Sequence, residues 1–258
     1  WHKDIFQLGK DIGLTIFSSP FDETAVDLLE DLDAKAYKIA SPELIDLPLI
    51  RKVASTKKPI ILSTGMANQD EIGDAIQTIY DQGNKKIIVL HCTSAYPTPV
   101  EDVNLLTLKE IENRFRVLSG LSDHTLGTEV ATYATILGAC LIEKHFTLNR
   151  NSGGVDSDFS IEPDELKKLV KDINTAKVSL GSVAFQPLDS ESITLSARRS
   201  LYVVENIKCG ETFSYSNIKS IRPGNGLPPK LIDNIVGKKA LKDLNFGDPL
   251  SEEMIQWD

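Results

Sequence analysis

The stretch Gly120-Leu121-Ser122-Asp123-His124-Thr125, taken with Ile142-Glu143-Lys144-His145-Phe146 some twenty residues later, decides how the chain reads. Each closes a short apolar run, Arg116-Val117-Leu118 and Ala139-Cys140-Leu141. Each therefore reads as the carboxyl end of a buried parallel strand, where α/β sheets place their chemistry. Between them, Thr128 to Leu137 is an Ala- and Thr-rich segment of helical length that stops at Gly138. The unit is strand, helix, strand, with the two strands adjacent in one sheet. Alternation at period two puts Glu143 and His145 on one face of the second strand and Lys144 on the other. A lone strand-end histidine is more often a satisfied polar residue than a ligand. Two on adjacent strand ends, each with a carboxylate beside it, read as ligands.

The same rhythm extends towards the amino end. Leu14 to Ser18 is β-rich and precedes a helical pattern over Thr24 to Leu32; Ala36 to Ser41 precedes one over Leu49 to Ser55. Pro59 to Gly65 leads into a helix over Asp70 to Gln82, and Lys86 to Ser94 into a Pro-rich loop and a helix over Asn104 to Asn113. Six such units, with Ser, Thr or His at the strand ends, mean a parallel sheet covered by helices, either a barrel or a doubly wound sheet. No Gly-x-Gly-x-x-Gly follows any strand, which disfavours a dinucleotide site. A barrel takes eight units. Trp1 opens the chain in what reads as mid-helix (Ile5 to Ile12), so the barrel expects two units upstream and little activity from these 258 residues alone.

After the last strand come a polar, Gly-rich stretch (Asn149 to Asp158) and a helix from Pro163 to Leu180, with Gly181 past its end. Residues 1–181 read as the α/β domain, 182–194 as a linker and 195–258 as a small, mostly β domain. Within the last, Cys209-Gly210-Glu211-Thr212-Phe213-Ser214 is echoed by Phe246-Gly247-Asp248-Pro249-Leu250-Ser251, with Ile eight residues after each Gly.

Composition narrows the function. A net charge of −9 argues against a nucleic-acid surface, and no apolar run approaches the roughly 20 residues of a membrane span. Cys92, Cys140 and Cys209 are odd in number and far apart, which reads as reduced thiols of a cytoplasmic protein. An anionic substrate would need local cations.

Ser122 to Thr125, Glu143 to Leu148, Tyr37 to Ser41, Ile61 to Met66, Tyr96 to Pro99 and Arg222 to Gly226 together resemble the sialic acid synthase family, over essentially the whole chain. The resemblance implies a (β/α)8 TIM barrel, its last six units present, followed by a small antifreeze-like (SAF) domain. It implies a transferase that condenses phosphoenolpyruvate with an N-acetylated amino sugar, releases phosphate by C–O cleavage and uses a divalent metal, Mn2+ first, with Mg2+ or Co2+ as substitutes. It assigns the metal to His124 and His145. It gives the phosphate and carboxylate of phosphoenolpyruvate to Ser19, Lys38, Ser41, Ser94 and Ser122, with Tyr96 beside the substrate. Glu43 matches a glutamate suited to activating water, though read alone it serves equally as a first-turn helix residue. Lys38 within an apolar strand needs an anion, either the ligand or Glu143; otherwise it is a lysine snorkelling to the surface. Asp156 matches a sugar-hydroxyl partner, or is simply a turn former. Arg222 would cover the N-acetyl group in a homodimer whose small domains cap the partner barrels; alone it is a solvated turn residue.

Ser94 and the loop Gly153-Gly154-Val155-Asp156-Ser157 resemble the pseudaminic acid branch, whose sugar is 2,4-diacetamido-2,4,6-trideoxy-L-altrose. The N-acetylneuraminate and legionaminate branches usually carry Asn at the Ser94 position. Those branches are the alternative. A metal-dependent pyruvate aldolase on the same barrel is a more distant one, and a carbohydrate- or ice-binding protein leaves the strand-end Ser, His and Lys unexplained.

Overall fold

The apolar runs become strands, but the last two begin later than their sequence suggests. The structure, a computed structural model describing residues 1–257, has one compact unit from Trp1 to Ser182 and a second beginning at Val183. The first contains α1 (His2–Ile12), α2 (Glu23–Asp31), β1 (Tyr37–Ile39), α3 (Leu47–Ser55), β2 (Ile60–Ser63) and α4 (Gln69–Asp81). It continues with β3 (Ile87–Cys92), α5 (Thr107–Phe115), β4 (Leu118–Asp123), α6 (Glu129–Ile136), β5 (Ile142–Lys144) and α7 (Pro163–Leu180). The strands form one parallel sheet in chain order, β1 to β5.

Local chemistry sets these boundaries. Asn68 and Glu71 close a capping box on α4, and Asp22 caps α2 through the Ala25 N–H. Arg116 ends α5 in the left-handed region, and Gly138, at φ 106°, turns the chain after α6. The Arg116 turn falls inside its expected strand and the Gly138 turn immediately before the other, so register pairing runs from Leu118 and from Ile142. The motif residues Ser122, Asp123, Glu143 and Lys144 are thus the last residues of the strands themselves. The expected first strand, Leu14 to Ser18, is reduced to one bridge, Ser18 to Tyr37, with Lys38 N donating to Ser18 O at 3.2 Å. It has β1 as its one neighbour among the described strands, and Pro20 ends it without a donor.

Alternation divides the sheet into a helix face and an open face. Tyr37, Ile39, Ile60, Leu62, Ile87 and Val89 pack with Val26, Leu29, Ile50, Val53, Ile76, Ile79 and Ile111 in the main core. Lys38, Ser63, Cys92, Ser122 and Glu143 project from the other side. Lys38 and Glu143 stand on β1 and β5, four strand spacings of about 4.8 Å apart, on the order of 19 Å in a flat sheet. Their charged atoms are 3.5 Å apart. The sheet is therefore a strongly curled half-barrel, and its concave face gathers side chains from every strand.

The second unit pairs β6 (Ser200–Val203) with β7 (Ile218–Ile221) and β8 (Lys239–Ala240) with β9 (Ile255–Gln256), both antiparallel, with α8 (Ile232–Ile235) between β7 and β8. A 3₁₀ helix, Asp189–Ala197, runs from the expected linker into the start of the expected β domain. The sequence echo is structural. Gly210 and Gly247 take φ of 83° and 92°, while Glu211 and Asp248 accept from the Lys208 and Asn245 N–H groups. Ile207 and Leu244 exchange both backbone bonds, and Phe213 and Leu250 fill one core. No described helix is long and apolar enough to cross a membrane.

Candidate active site

Register brings the two motifs together rung by rung: Ser122 pairs with Glu143, and Asp123 with Lys144. On the concave face the Ser122 hydroxyl donates to Glu143 Oε1 at 2.7 Å. The same oxygen lies 3.5 Å from Lys38 Nζ, which also donates to Ile39 O at 3.2 Å. Lys38 is 7% exposed, so it is no snorkelling surface lysine. A buried ammonium facing one carboxylate and one carbonyl keeps a donor for an anionic ligand.

One residue beyond each strand end stand the histidines, with ring centroids 5.2 Å apart. His124 Nδ1 donates to Thr93 O at 3.0 Å, which places the ring's lone pair on Nε2. His145 Nδ1 lies 3.5 Å from Asp156 Oδ2. Asp156, expected at sugar hydroxyls, thus sits beside a histidine. Burial alone would lower the His124 pKa, but the Cys92 thiol and the Thr93 carbonyl more than offset it and hold it above the ordinary value. Burial, then the neighbouring His124, pushes His145 below. Tyr96 covers His124 at 4.4 Å between centroids, and Phe159 lies 5.0 Å from His145 and 5.4 Å from Tyr96. Two imidazoles with Nδ1 so engaged could hold a cation through Nε2. Among the described residues no group of three or more His, Cys, Asp or Glu is arranged for a metal, so its other ligands would be water or substrate.

On the β1 to β3 side is a cradle of small polar groups. The Gly65 N–H donates to Ser41 Oγ at 3.0 Å, and Ser41 Oγ donates to Cys92 Sγ at 3.5 Å. Cys92 Sγ is 4.0 Å from Ser94 Oγ and 3.9 Å from His124 Nδ1. A Cβ on Gly65 would stand 2.1 Å from Ser94 Oγ and 2.8 Å from Ser41 Oγ, so any side chain there would displace the two hydroxyls. Glu43, in the 3₁₀ turn Ser41–Ile45, has a buried, unpartnered Oε2, as Ser63 has an unpartnered Oγ. Such orphans are rare in a folded core and mark places where a ligand or water completes the bonding.

The concave face thus joins Lys38, Ser122, Glu143, His124, His145, Tyr96 and Asp156, with Ser41 and Ser94 linked to His124 through Cys92. Ser19, half-buried beside the Ser18 bridge, makes no hydrogen bond to them. Arg222 belongs to the second unit, exposed on a loop tied by Ser200 Oγ to Pro223 O and by Gly226 N to Ser200 Oγ. Sequence reasoning missed Ser63, Cys92 and Gly65. The signal for Ser63 was present, since alternation through Ile60, Ile61 and Leu62 puts it on the Lys38 side.

Known proteins resemble the chain over nearly its whole length. The NeuB family profile matches residues 1–184 and the SAF domain profile residues 198–256. A pseudaminic acid synthase of Helicobacter pylori is 44% identical over 258 residues, 99% of this chain and 76% of its own length. An N,N'-diacetyllegionaminic acid synthase of Campylobacter jejuni is 40% identical over 254 residues, 97% of this chain and 76% of its own. The crystal structure of spore coat polysaccharide biosynthesis protein spsE from Bacillus subtilis superposes with a TM-score of 0.67 at 32% identity, covering 99% of this chain and 77% of that one. With identity and fold running together from end to end, the chain belongs to the NeuB family and carries a SAF domain at its carboxyl end.

Proposed function

We propose that the chain is a pseudaminic acid synthase, condensing phosphoenolpyruvate with 2,4-diacetamido-2,4,6-trideoxy-L-altrose. The observation that carries the reading is the meeting of Lys38, a cradle of serine hydroxyls and two oriented histidines on one concave face. Lys38, Ser41, Ser63, Ser94 and Ser122 would bind the phosphate and carboxylate, with Ser19 at the rim. Charge-assisted bonds from a buried site suit a trianion that the net charge of −9 would otherwise repel.

The enolpyruvate C3 forms a bond to the sugar's aldehyde carbon, whose oxygen takes up a proton. Water then adds to the cationic C2, and the C2–O bond to phosphate breaks, leaving the 2-keto acid. His124 and His145 would hold a divalent cation, Mn2+ first and Mg2+ or Co2+ as substitutes, which when bound supplies a Lewis acid towards the aldehyde oxygen. The orphaned Glu43 carboxylate is the group suited to taking the proton from water. Glu143 holds Lys38 and Ser122 in place, and Asp156 keeps His145 turned.

The sugar is argued from the wall of the site. Phe159 is 8% exposed and packs on His145 and Tyr96, an apolar surface fitted to a methyl group rather than a hydroxymethyl. That wall separates the deoxy sugars from N-acetylmannosamine; Ser94 and the loop 153–157 support the pseudaminic acid branch, and the relative at 44% identity carries that name. Legionaminate synthase is the second reading, favoured by the relative at 40%. Three unpaired cysteines fit a reducing cytoplasm. The small second unit fits a homodimer in which Arg222 reaches the partner's barrel. Phosphate release with each sugar tests the substrate: kcat/KM should be highest for the altrose derivative. An equal or higher value for N-acetylmannosamine or the legionaminate precursor moves the assignment to that branch.

A further inference from the structure

Within the two motifs that face the site, one residue of each faces away. Asp123 separates Ser122 from His124, and Lys144 separates Glu143 from His145. As register partners they leave the sheet on its helix side. There Lys144 Nζ meets Asp123 Oδ2 at 2.8 Å, with 4% and 1% of the two side chains exposed. Lys144 Nζ also donates to Thr125 O at 2.7 Å. The other Asp123 oxygen accepts from the Thr125 N–H and hydroxyl, at 2.9 and 2.7 Å. The network thus encloses the backbone of His124 and ends next to that of His145.

Its place in the ladder matters. Asp123 with Lys144 is the last rung between β4 and β5. One residue further the backbone turns to other partners: His124 O accepts from Thr98 N at 3.0 Å, and His145 O from Ile161 N at 2.9 Å. No ladder bond holds the strands together where the two imidazoles must stand at a fixed distance. A buried ion pair is a poor source of stability, because an apolar pair of similar volume holds a fold as well or better. What it supplies is direction, since Nζ and carboxylate bonds are short and angular.

We propose that Asp123 and Lys144 are positioning residues that set the separation and ring direction of His124 and His145. The inference rests on the reading of those histidines as metal ligands. Single substitutions strand a buried charge and endanger the fold, so the decisive variant is the double one, Asp123→Asn with Lys144→Met. It removes both charges, keeps the shapes and leaves Asn an oxygen for Thr125. Mn2+ binding, followed by electron paramagnetic resonance on the full chain, should weaken on the order of 10- to 100-fold, while the melting temperature holds. Nitrogen-15 spectra of the imidazoles in the metal-free protein should change from one tautomer at His124 to a mixture. A folded double variant with the parent's Mn2+ affinity and imidazole spectra overturns the proposal, and so does a double variant that fails to fold, which makes the pair structural. A parent that binds no Mn2+ sinks the ligand reading instead, and the imidazole spectra then decide the positioning role alone.

Discussion

Gly65→Ala is a one-carbon test of the anion cradle. The backbone at Gly65 lies outside the left-handed region, so alanine is conformationally acceptable there. The methyl, however, would sit 2.1 Å from Ser94 Oγ and 2.8 Å from Ser41 Oγ. Ordinary contact is about 3.4 Å, so Ser94 must leave its rotamer, carrying its hydroxyl on the order of 2 Å away. Ser41 must give less, but its bond from the Gly65 N–H, 3.0 Å long, goes with it. A hydrogen bond to a charged group is worth about 1.5–3 kcal/mol. Losing one such bond to phosphoenolpyruvate costs on the order of 10- to 100-fold in kcat/KM, and losing both on the order of 10²- to 10⁴-fold. Phosphate release at saturating sugar, with phosphoenolpyruvate varied, gives the number, and circular dichroism and the melting curve check the fold. Parent kinetics towards phosphoenolpyruvate in a folded variant would mean that neither serine binds it, and the cradle would lose its assignment.

Lys38→Met removes a buried ammonium while keeping its length: thermal stability should hold or rise, and kcat/KM for phosphoenolpyruvate should fall at least about 10-fold. An unchanged KM would make Lys38 a partner of Glu143 alone. Gly120→Ala tests sheet packing, because its Cβ would lie 2.5 Å from Leu141 O and 2.6 Å from Leu90 Cδ2. Denaturant unfolding should show a loss of about 1–3 kcal/mol, and a neutral result contradicts the β4 to β5 approach. Chelation should abolish turnover and Mn2+ restore it, with His145→Ala refractory to restoration at the same Mn2+; activity that survives exhaustive chelation rules the cation out. Arg222→Ala should raise KM for the sugar far more than for phosphoenolpyruvate with the fold intact, and mixing it with a His124→Ala chain should recover activity if each second unit serves the partner's barrel. No recovery despite proven subunit exchange assigns Arg222 to its own barrel or to none.

Much of this protein is written locally. Helix lengths, caps and the strand-helix rhythm depend on neighbours within one turn or one strand, and period-two alternation already placed Glu143 and His145 together and Lys144 opposite them. The motif pairs on β4 and β5 were legible because consecutive parallel strands lie side by side. The strand starts were less so, since the left-handed turn at Arg116 and the helix end that still holds Ala139 N on Ala134 O take up residues that hydropathy alone gives to the strands. What sequence spacing could not supply was curvature. Lys38 and Glu143 come from opposite edges of five strands, and only the curl of the sheet brings them to 3.5 Å. The Thr93 carbonyl that sets the His124 tautomer, the closeness of Ser41 and Ser94 to Gly65 and the approach of Asp156 to His145 likewise join residues of different segments. Such contacts depend on how the strands lie across the concave face, a property of the whole sheet that no single segment carries.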